Sequence, residues 1–517
     1  MKLFSFILFL LVFSYSAEAK TFTYDQVHQM PTSIEKDYYI WRYLSQSTTT
    51  VDQARSIIHE THHLNDKLIG SYKRKTGTAP RVSHKPMPYS QQLKPQTDGS
   101  SQSWRIGSAK LQSIIRSNTP FSEWSQEEPF VQCYVFNNCS AAKRKSLNQQ
   151  ISKQQYQRMT TSKAFNKSAK LIMSEKLNNL TNALYFPPDP NNALTSKTHF
   201  DIGMYALMHN NNQSASIYFD QARQKAEKQN EADRAAFWLY QATGNKSYLN
   251  YLLKSYDVNM YTLIARDMMN IRYPKTITPT LPKRDLPHYD SKNPIHWANI
   301  KLKLFKPGAN LNALAGQYES EEAVGVYSYI QTEASKKRSI YYPMPYRDIM
   351  SQLPKERQAL IYAIARQESR FVPASVSSSF ALGMMQIMPF LVEHIAKQRG
   401  ENIDLDEMFD PSKAIIYANH HLNYLTEYLY NPLFIAYAYN GGIGFTKRLI
   451  QRDDYFRKGA YEPYLSMEKM TNEESREYGK KVLTNYVIYL NKLGVSAKIS
   501  PFLQSLTDPS RTDSFRR

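Results

Sequence analysis

Glu368 ends a run of apolar positions. In "QALIYAIARQESRF", residues 358–371, Leu360, Ile361, Ile364 and Ala365 recur at helical spacing, and the stripe extended by four lands on Glu368. A carboxyl group on an apolar face is partly desolvated. Desolvation disfavours the anion and raises the pKa. The end of a helix pushes the same way, because the dipole there is negative. An acid that keeps its proton near neutrality can donate it, as general-acid catalysis requires. A Glu taken at random is solvated instead, so the reading depends on what stands elsewhere in the chain.

Two further stretches offer polar groups of a complementary kind. "SSSFALGMMQIMPF", residues 377–390, holds Gly383, which permits close backbone approach, and Gln386, whose amide can bind sugar hydroxyls or N-acetyl groups. Of Met384, Met385 and Met388, two are expected in the core. "AYAYNGGIGF", residues 436–445, presents Tyr439 and Asn440 at a junction of helix and glycine-rich loop. In "EESREY", Glu474 and Tyr478 stand four apart, so one helix face carries both. By themselves they read equally well as a solvated acid and a core tyrosine.

One motif points elsewhere. "HETHH", residues 59–63, matches H-E-x-x-H, the zinc-protease pattern in which His59 and His63 share a helix face beside Glu60. A third ligand is missing, since "LNDKL" follows and the next Glu is Glu123. The stretch reads as a His-rich polar helix face, and no metal or cofactor is expected.

The elements that must position these residues are helical. Strand alternation is nearly absent. "EKDYYIWRYLSQ" and "VDQARSIIHETHHLNDKLI" form a predicted helical hairpin, with a Thr of "STTT" capping the second helix. Residues 73–103 are polar and Pro-rich and read as a loop or mobile insert. "DIGMYALMHNNNQSASIYFDQARQKAEKQ" and "ADRAAFWLYQATGNKSYLNYLLKSY" are helix–turn–helix pairs that could bury their faces by stacking, as in repeat arrays. Residues 274–294 carry five prolines and interrupt the array. The texture changes near residue 338, which divides the chain into 20–337 and 338–500, with 501–517 as a disordered tail.

Together the motifs carry a resemblance. "ARQESRF", "GMMQIMP", "AYNGG" and "EESREYGKKVL", in that order and with Gln386 eighteen residues after Glu368, look like the four-motif signature of soluble lytic transglycosylases. "FDPSKAI" and "YYPMPYRDIM" resemble further segments of that family, which cuts the glycan of peptidoglycan. The resemblance implies an all-α chain with an α-superhelical, ring-like N-terminal region and a lysozyme-like catalytic domain. It implies that Glu368 serves alone, first as acid and then as base, with Tyr439 near it and Ser369, Gln386, Met388, Asn440, Glu474 and Tyr478 binding substrate. Four positions depart from the family: Phe380 stands where Gly is common, Met384 where Leu is, Gly441 gives "AYNGG" for "AYNAG", and Ala414 replaces an Asn. None removes a proton-transferring group.

Composition sets the surroundings. A chain of 517 residues exceeds one ordinary core. Lys2, the apolar "LFSFILFLLVF" and "AEA" read as an export signal cleaved after Ala19. No later stretch is apolar enough to span a bilayer. An exported, periplasmic monomer is expected, and its only cysteines, Cys133 and Cys139, are expected to form a short-loop disulfide. A formal net charge of +20 calls for an anionic partner. With no nucleic-acid-reading motif and no clustering of basic residues, peptidoglycan strands are favoured over nucleic acid. The rival readings are a hydrolysing muramidase of the same fold and a helical envelope-binding scaffold without activity.

Overall fold

The computed structural model describes residues 20–81, 109–116 and 127–516. The expected export signal and most of the 73–103 segment lie outside the described residues. Residues 73–76 belong to the Asp66–Thr76 helix, which ends at Gly77 in a left-handed turn. The chain is all-α: among the described residues, β pairing is confined to four isolated bridges. No described helix is long and apolar enough to cross a membrane.

Packing divides the chain into two compact units, Met1–Ser90 with Lys275–Arg517, and Gln91–Pro274. The texture change at residue 338 thus marks a change of sequence, while the division in space falls elsewhere. In the Gln91–Pro274 unit, helices Ser196–Met208, Asn212–Gln224, Gln229–Thr243, Ser247–Leu253 and Met260–Met268 follow one another, each packed on the next. Asn211 and Asn259 cap helix starts, and Gly244, left-handed at φ 68°, ends the Gln229–Thr243 helix. Phe219, Phe237 and Trp238 fill the space between the helices. This is the stacking that the amphipathic pairs required.

The expected disulfide is not formed. Cys133 lies inside the Pro129–Asn138 helix and Cys139 caps it. Six helical residues separate Cα atoms by about 9 Å of rise, beyond the ~7 Å a disulfide can bridge. Both thiols are free and buried, and burial pushes the Cys133 thiol up to about 12.

The other unit is built around the Glu473–Lys492 helix, buried over most of its length. It packs against the Lys355–Glu368 and Pro432–Gly441 helices. Gly479 permits that approach, since a Cβ there would stand 2.2 Å from the Tyr437 ring. The N-terminal hairpin belongs to this unit. Arg42 binds Asp404 at 2.6 Å and Asp406 at 3.1 Å, and the Tyr38 hydroxyl donates to Asp406 at 2.8 Å. Lys301 reaches the buried Glu35 at 2.5 Å. Thr50 caps the Val51–Ile57 helix as expected, but "HETHH" leaves the helix. Ile58–Glu60 is a 3₁₀ turn, and the backbone N–H groups of His62 and His63 bind Asp37. His59 and His63 therefore share no helical face, and Glu60 is held by Lys36 and His28.

The C-terminal segment, expected to be disordered, is packed. Asp513 pairs with Leu429 in a β-bridge and binds Arg516 at 2.7 Å, both side chains being buried. Arg516 also donates to the carbonyls of Phe456 and Leu506. The segment lost to sequence reading is thus held by polar bonds that carry no periodic signal. Arg516→Ala strands a buried carboxylate and is expected to destabilise this unit by about 3 kcal/mol. Urea unfolding followed by tyrosine fluorescence measures this; unchanged stability would mean that the segment is loose.

Candidate active site

The Lys355–Glu368 helix is buried from Ala359 to Ala365 on every side, so Glu368 emerges from a dry rod rather than from one apolar stripe. Beyond it the backbone turns abruptly. Arg370 and Phe371 are both left-handed, at φ 54° and 67°. Two consecutive non-glycine residues in that region store strain of the kind that accumulates at functional sites. Ser369, the helix cap, donates its hydroxyl to the Met384 carbonyl at 2.8 Å, which ties the first motif to the second.

Glu368 keeps partial exposure while protein surrounds most of its carboxyl. The Tyr478 hydroxyl donates to Glu368 Oε1 at 2.7 Å. Burial pushes the Glu368 carboxyl up to about 8, against the Tyr478 hydrogen bond, which lowers it; the charge of Glu474 adds to the rise. At neutral pH the group is an acid. Tyr478 and Tyr439 are both held well above the ordinary phenol range, by burial first and by the Glu368 charge second. Tyr439 thus shares the Glu368 site. Its hydroxyl, however, donates to the Met385 carbonyl at 2.9 Å, and Tyr478 is the tyrosine that grips the acid.

The remaining expected residues are held by bonds to one another or to their own loops. Asn440 donates to Glu474 at 3.4 Å and accepts from Ser475 at 2.7 Å, so the third and fourth motifs are bonded to each other. Gln386 turns its amide N–H groups to the carbonyls of Ser375 and Gly383, at 3.0 and 2.8 Å, and so braces its own loop. Met388 is half-buried at the start of the Pro389–Arg399 helix. Gly383 is required where it stands: φ is 74°, and a Cβ would lie 2.0 Å from the Met408 carbonyl oxygen. The acids of the 404–410 segment are committed elsewhere. Asp404 and Asp406 hold Arg42, while Asp410 caps the Pro411–Thr426 helix and binds Lys292.

Phe380 occupies a position whose backbone suits glycine. It is fully buried at φ 63°, a conformation glycine adopts freely. Its ring packs against Trp41 and Tyr38, with centroids 5.6 and 6.0 Å away. Asn65 and Lys67 bind the carbonyls of Ser378 and Ser379 beside it. The N-terminal hairpin thereby clamps the loop that carries Gln386. Sequence reading missed His421, whose ring lies 5.7 Å from that of Tyr439. Burial, helped by His420 and His394, lowers His421 to about 4, so it is neutral. A His on a polar-looking helix gave no signal.

Residues 348–461 match the sequence profile of the Transglycosylase SLT domain. That span contains the first three motifs and stops short of the fourth, and it bears out the likeness read from them. The soluble lytic murein transglycosylase of Salmonella typhimurium is 28% identical over 163 residues, covering 30% of this chain and 24% of that protein. The Escherichia coli K12 protein of the same name is 28% identical over 176 residues, 33% and 26% of the two chains. The chain thus spans about a quarter of the length of these curated relatives. Among solved structures, the 70 kDa soluble lytic transglycosylase of E. coli aligns at TM-score 0.46 and 16% identity, over 77% of this chain and 67% of that one. The lytic transglycosylase Slt of Pseudomonas aeruginosa aligns at TM-score 0.39 and 16% identity, over 75% and 78%.

A carboxyl whose proton affinity rises on folding makes stability depend on pH. Its ordinary value is near 4.5 and its folded value about 8. Stability is therefore greatest below about 4.5 and is lost as pH rises through about 8. Glu368→Gln removes the penalty. The variant is expected to gain on wild type across that interval, by a few kcal/mol at most, and to hold a constant lead above it. Denaturant midpoints for both proteins from pH 4 to 9 measure this; parallel curves would place Glu368 in solvent.

Proposed function

We propose that this chain is a periplasmic lytic transglycosylase. It cleaves the β-1,4 bond between N-acetylmuramic acid and N-acetylglucosamine in peptidoglycan and leaves 1,6-anhydro ends. The observation that carries the reading is a single carboxyl, Glu368, kept protonated by burial yet hydrogen-bonded by Tyr478. The match of residues 348–461 to the Transglycosylase SLT domain supports it.

The chemistry follows from the two opposed influences on Glu368. Burial favours the acid, which donates its proton to the glycosidic oxygen as the C1–O bond breaks. The substrate's own N-acetyl carbonyl stabilises the positive charge developing at C1, as in substrate-assisted glycosidases. Glu368 is then a carboxylate, and the Tyr478 hydroxyl favours that form. It accepts the proton of the C6 hydroxyl while O6 attacks C1. The proton gained equals the proton given, and water takes no part. Met388, Asn440 and Glu474 line the sugar subsites in this reading, Ser369 and Gln386 brace the loop that forms their floor, and Tyr439 orients the N-acetyl group. The protein works as a monomer, its lysozyme-like region spanning residues 338–500.

Hydrolysis is the second reading, because the charge of Glu474 is felt at Glu368 and paired carboxylates are the usual glycosidase device. Mass spectrometry of digested sacculi separates the two, since anhydro products are lighter by one water. Glu368→Gln is expected to lose about a hundredfold to ten-thousandfold in cleavage while remaining folded. Glu474→Gln is expected to keep anhydro products with weaker substrate binding. Reducing-end products, abolished by Glu474→Gln, would make the protein a hydrolase. Full activity of Glu368→Gln would overturn both readings.

A further inference from the structure

The site does not stop at Tyr439. From its ring a row of aromatic contacts leads outward along the Pro411–Thr426 helix and the turn after it. His421 follows Tyr439 at 5.7 Å, and Tyr424 stacks on His421 at 6.2 Å. Tyr428 meets Tyr424 edge-on at 5.7 Å, and Phe515 stacks on Tyr428 at 5.6 Å with the rings nearly parallel. The row is open to solvent in its middle, where Tyr424 is 44% exposed; Tyr430, in the segment after the helix, is 50% exposed.

The C-terminal segment builds the far end. Ser514 donates its N–H to the Tyr428 carbonyl and Tyr430 donates to that of Thr512, which holds Phe515 in line. Phe515 then forms part of the wall of a cleft of about 530 Å³. Arg457, Lys458 and Arg516 line this cleft against one lining acid, Asp453. Lys447 lies 5.2 Å over the Phe515 ring at its margin. Arg516 is answered by Asp513, so Arg457, Lys458 and Lys447 set the sign of the field here.

The exposed Tyr424 within the row and the exposed Tyr430 beyond the helix offer surfaces that apolar sugar faces can cover, each phenol presenting a flat apolar body with a polar tip. A cationic cleft at the end of such a row suits a carboxylate carried by the same polymer. We propose that this row and cleft are an extended binding track for an uncleaved stretch of glycan. Sugar rings lie on Tyr424 and Tyr430, and an acidic peptide branch sits in the cleft beside Lys458. The inference rests on the glycan-cleaving reading above and gives it a direction. The strand that enters at Glu368 leaves past Tyr439 towards the C-terminal segment.

Binding in the absence of cleavage tests the track. In a Glu368→Gln background, affinity is measured for soluble glycan strands that carry acidic peptide branches and for the same strands stripped of peptides. Tyr424→Ala with Tyr430→Ala is expected to weaken both about tenfold. Lys458→Glu is expected to weaken the peptide-bearing strands about fivefold and to leave the stripped strands unchanged. These side chains are exposed, and unchanged thermal unfolding verifies the fold. Wild-type affinity in both variants overturns the track while leaving the cleavage reading in place. Equal loss on both strand types in Lys458→Glu overturns the assignment of the cleft to the peptide branch. A Glu368→Gln parent that binds neither strand overturns the glycan reading and the track with it.

Discussion

The hydrogen bond from Tyr478 to Glu368 is the contact on which the rest of this unit converges. It joins the end of one buried helix to the first turns of another, and it decides how a desolvated carboxyl behaves. Burial alone would hold Glu368 as an acid that parts with its proton reluctantly. A phenol donor lowers the energy of the anion without restoring water. A group placed between these influences can give a proton and take one back, because neither state is overwhelmingly preferred. The fold supplies both halves: the Ala359–Ala365 rod excludes water, and the Gly479 gap lets the tyrosine's helix approach.

Around this bond the backbone is held in conformations it would not choose freely. Arg370, Phe371, Phe380 and Gln386 are all left-handed. Each such residue costs about 1 kcal/mol or more and persists only where its surroundings over-determine it. The surroundings here are identifiable. Ser369 bonds to Met384, the Phe380 ring is gripped by Trp41 and Tyr38, and Asn65 and Lys67 hold the adjoining carbonyls. The N-terminal hairpin is therefore part of the machinery that shapes the second motif. This accounts for its membership of the same compact unit as residues far along the chain.

Much of this was legible in the sequence where a local rule applied. Helical class, the stacked pairs and the Thr50 cap followed from periodicity and end signals. Glu368 stood out because a carboxylate at the foot of an apolar stripe breaks the pattern. The parts that escaped depend on contacts between distant residues. Nothing in "EESREY" says whether Tyr478 or Tyr439 will reach the acid, since both are tyrosines on amphipathic helices and three-dimensional crossing decides. The packed end of the chain escaped because Arg516 and Asp513 look like a solvated pair until Phe456 and Leu506 close over them. The disulfide failed for a local reason that helical geometry could have supplied: six residues along one helix place the thiols too far apart.

The protonation state of one side chain, Glu368, decides the chemistry. Carbon-13 NMR of protein labelled at glutamate carboxyls, with Glu368→Gln used to identify the resonance, follows that group directly through a titration. The account predicts a Glu368 inflection near 8, moving higher when Tyr478 is replaced by Phe. An inflection near 4.5, indifferent to Tyr478, would contradict it.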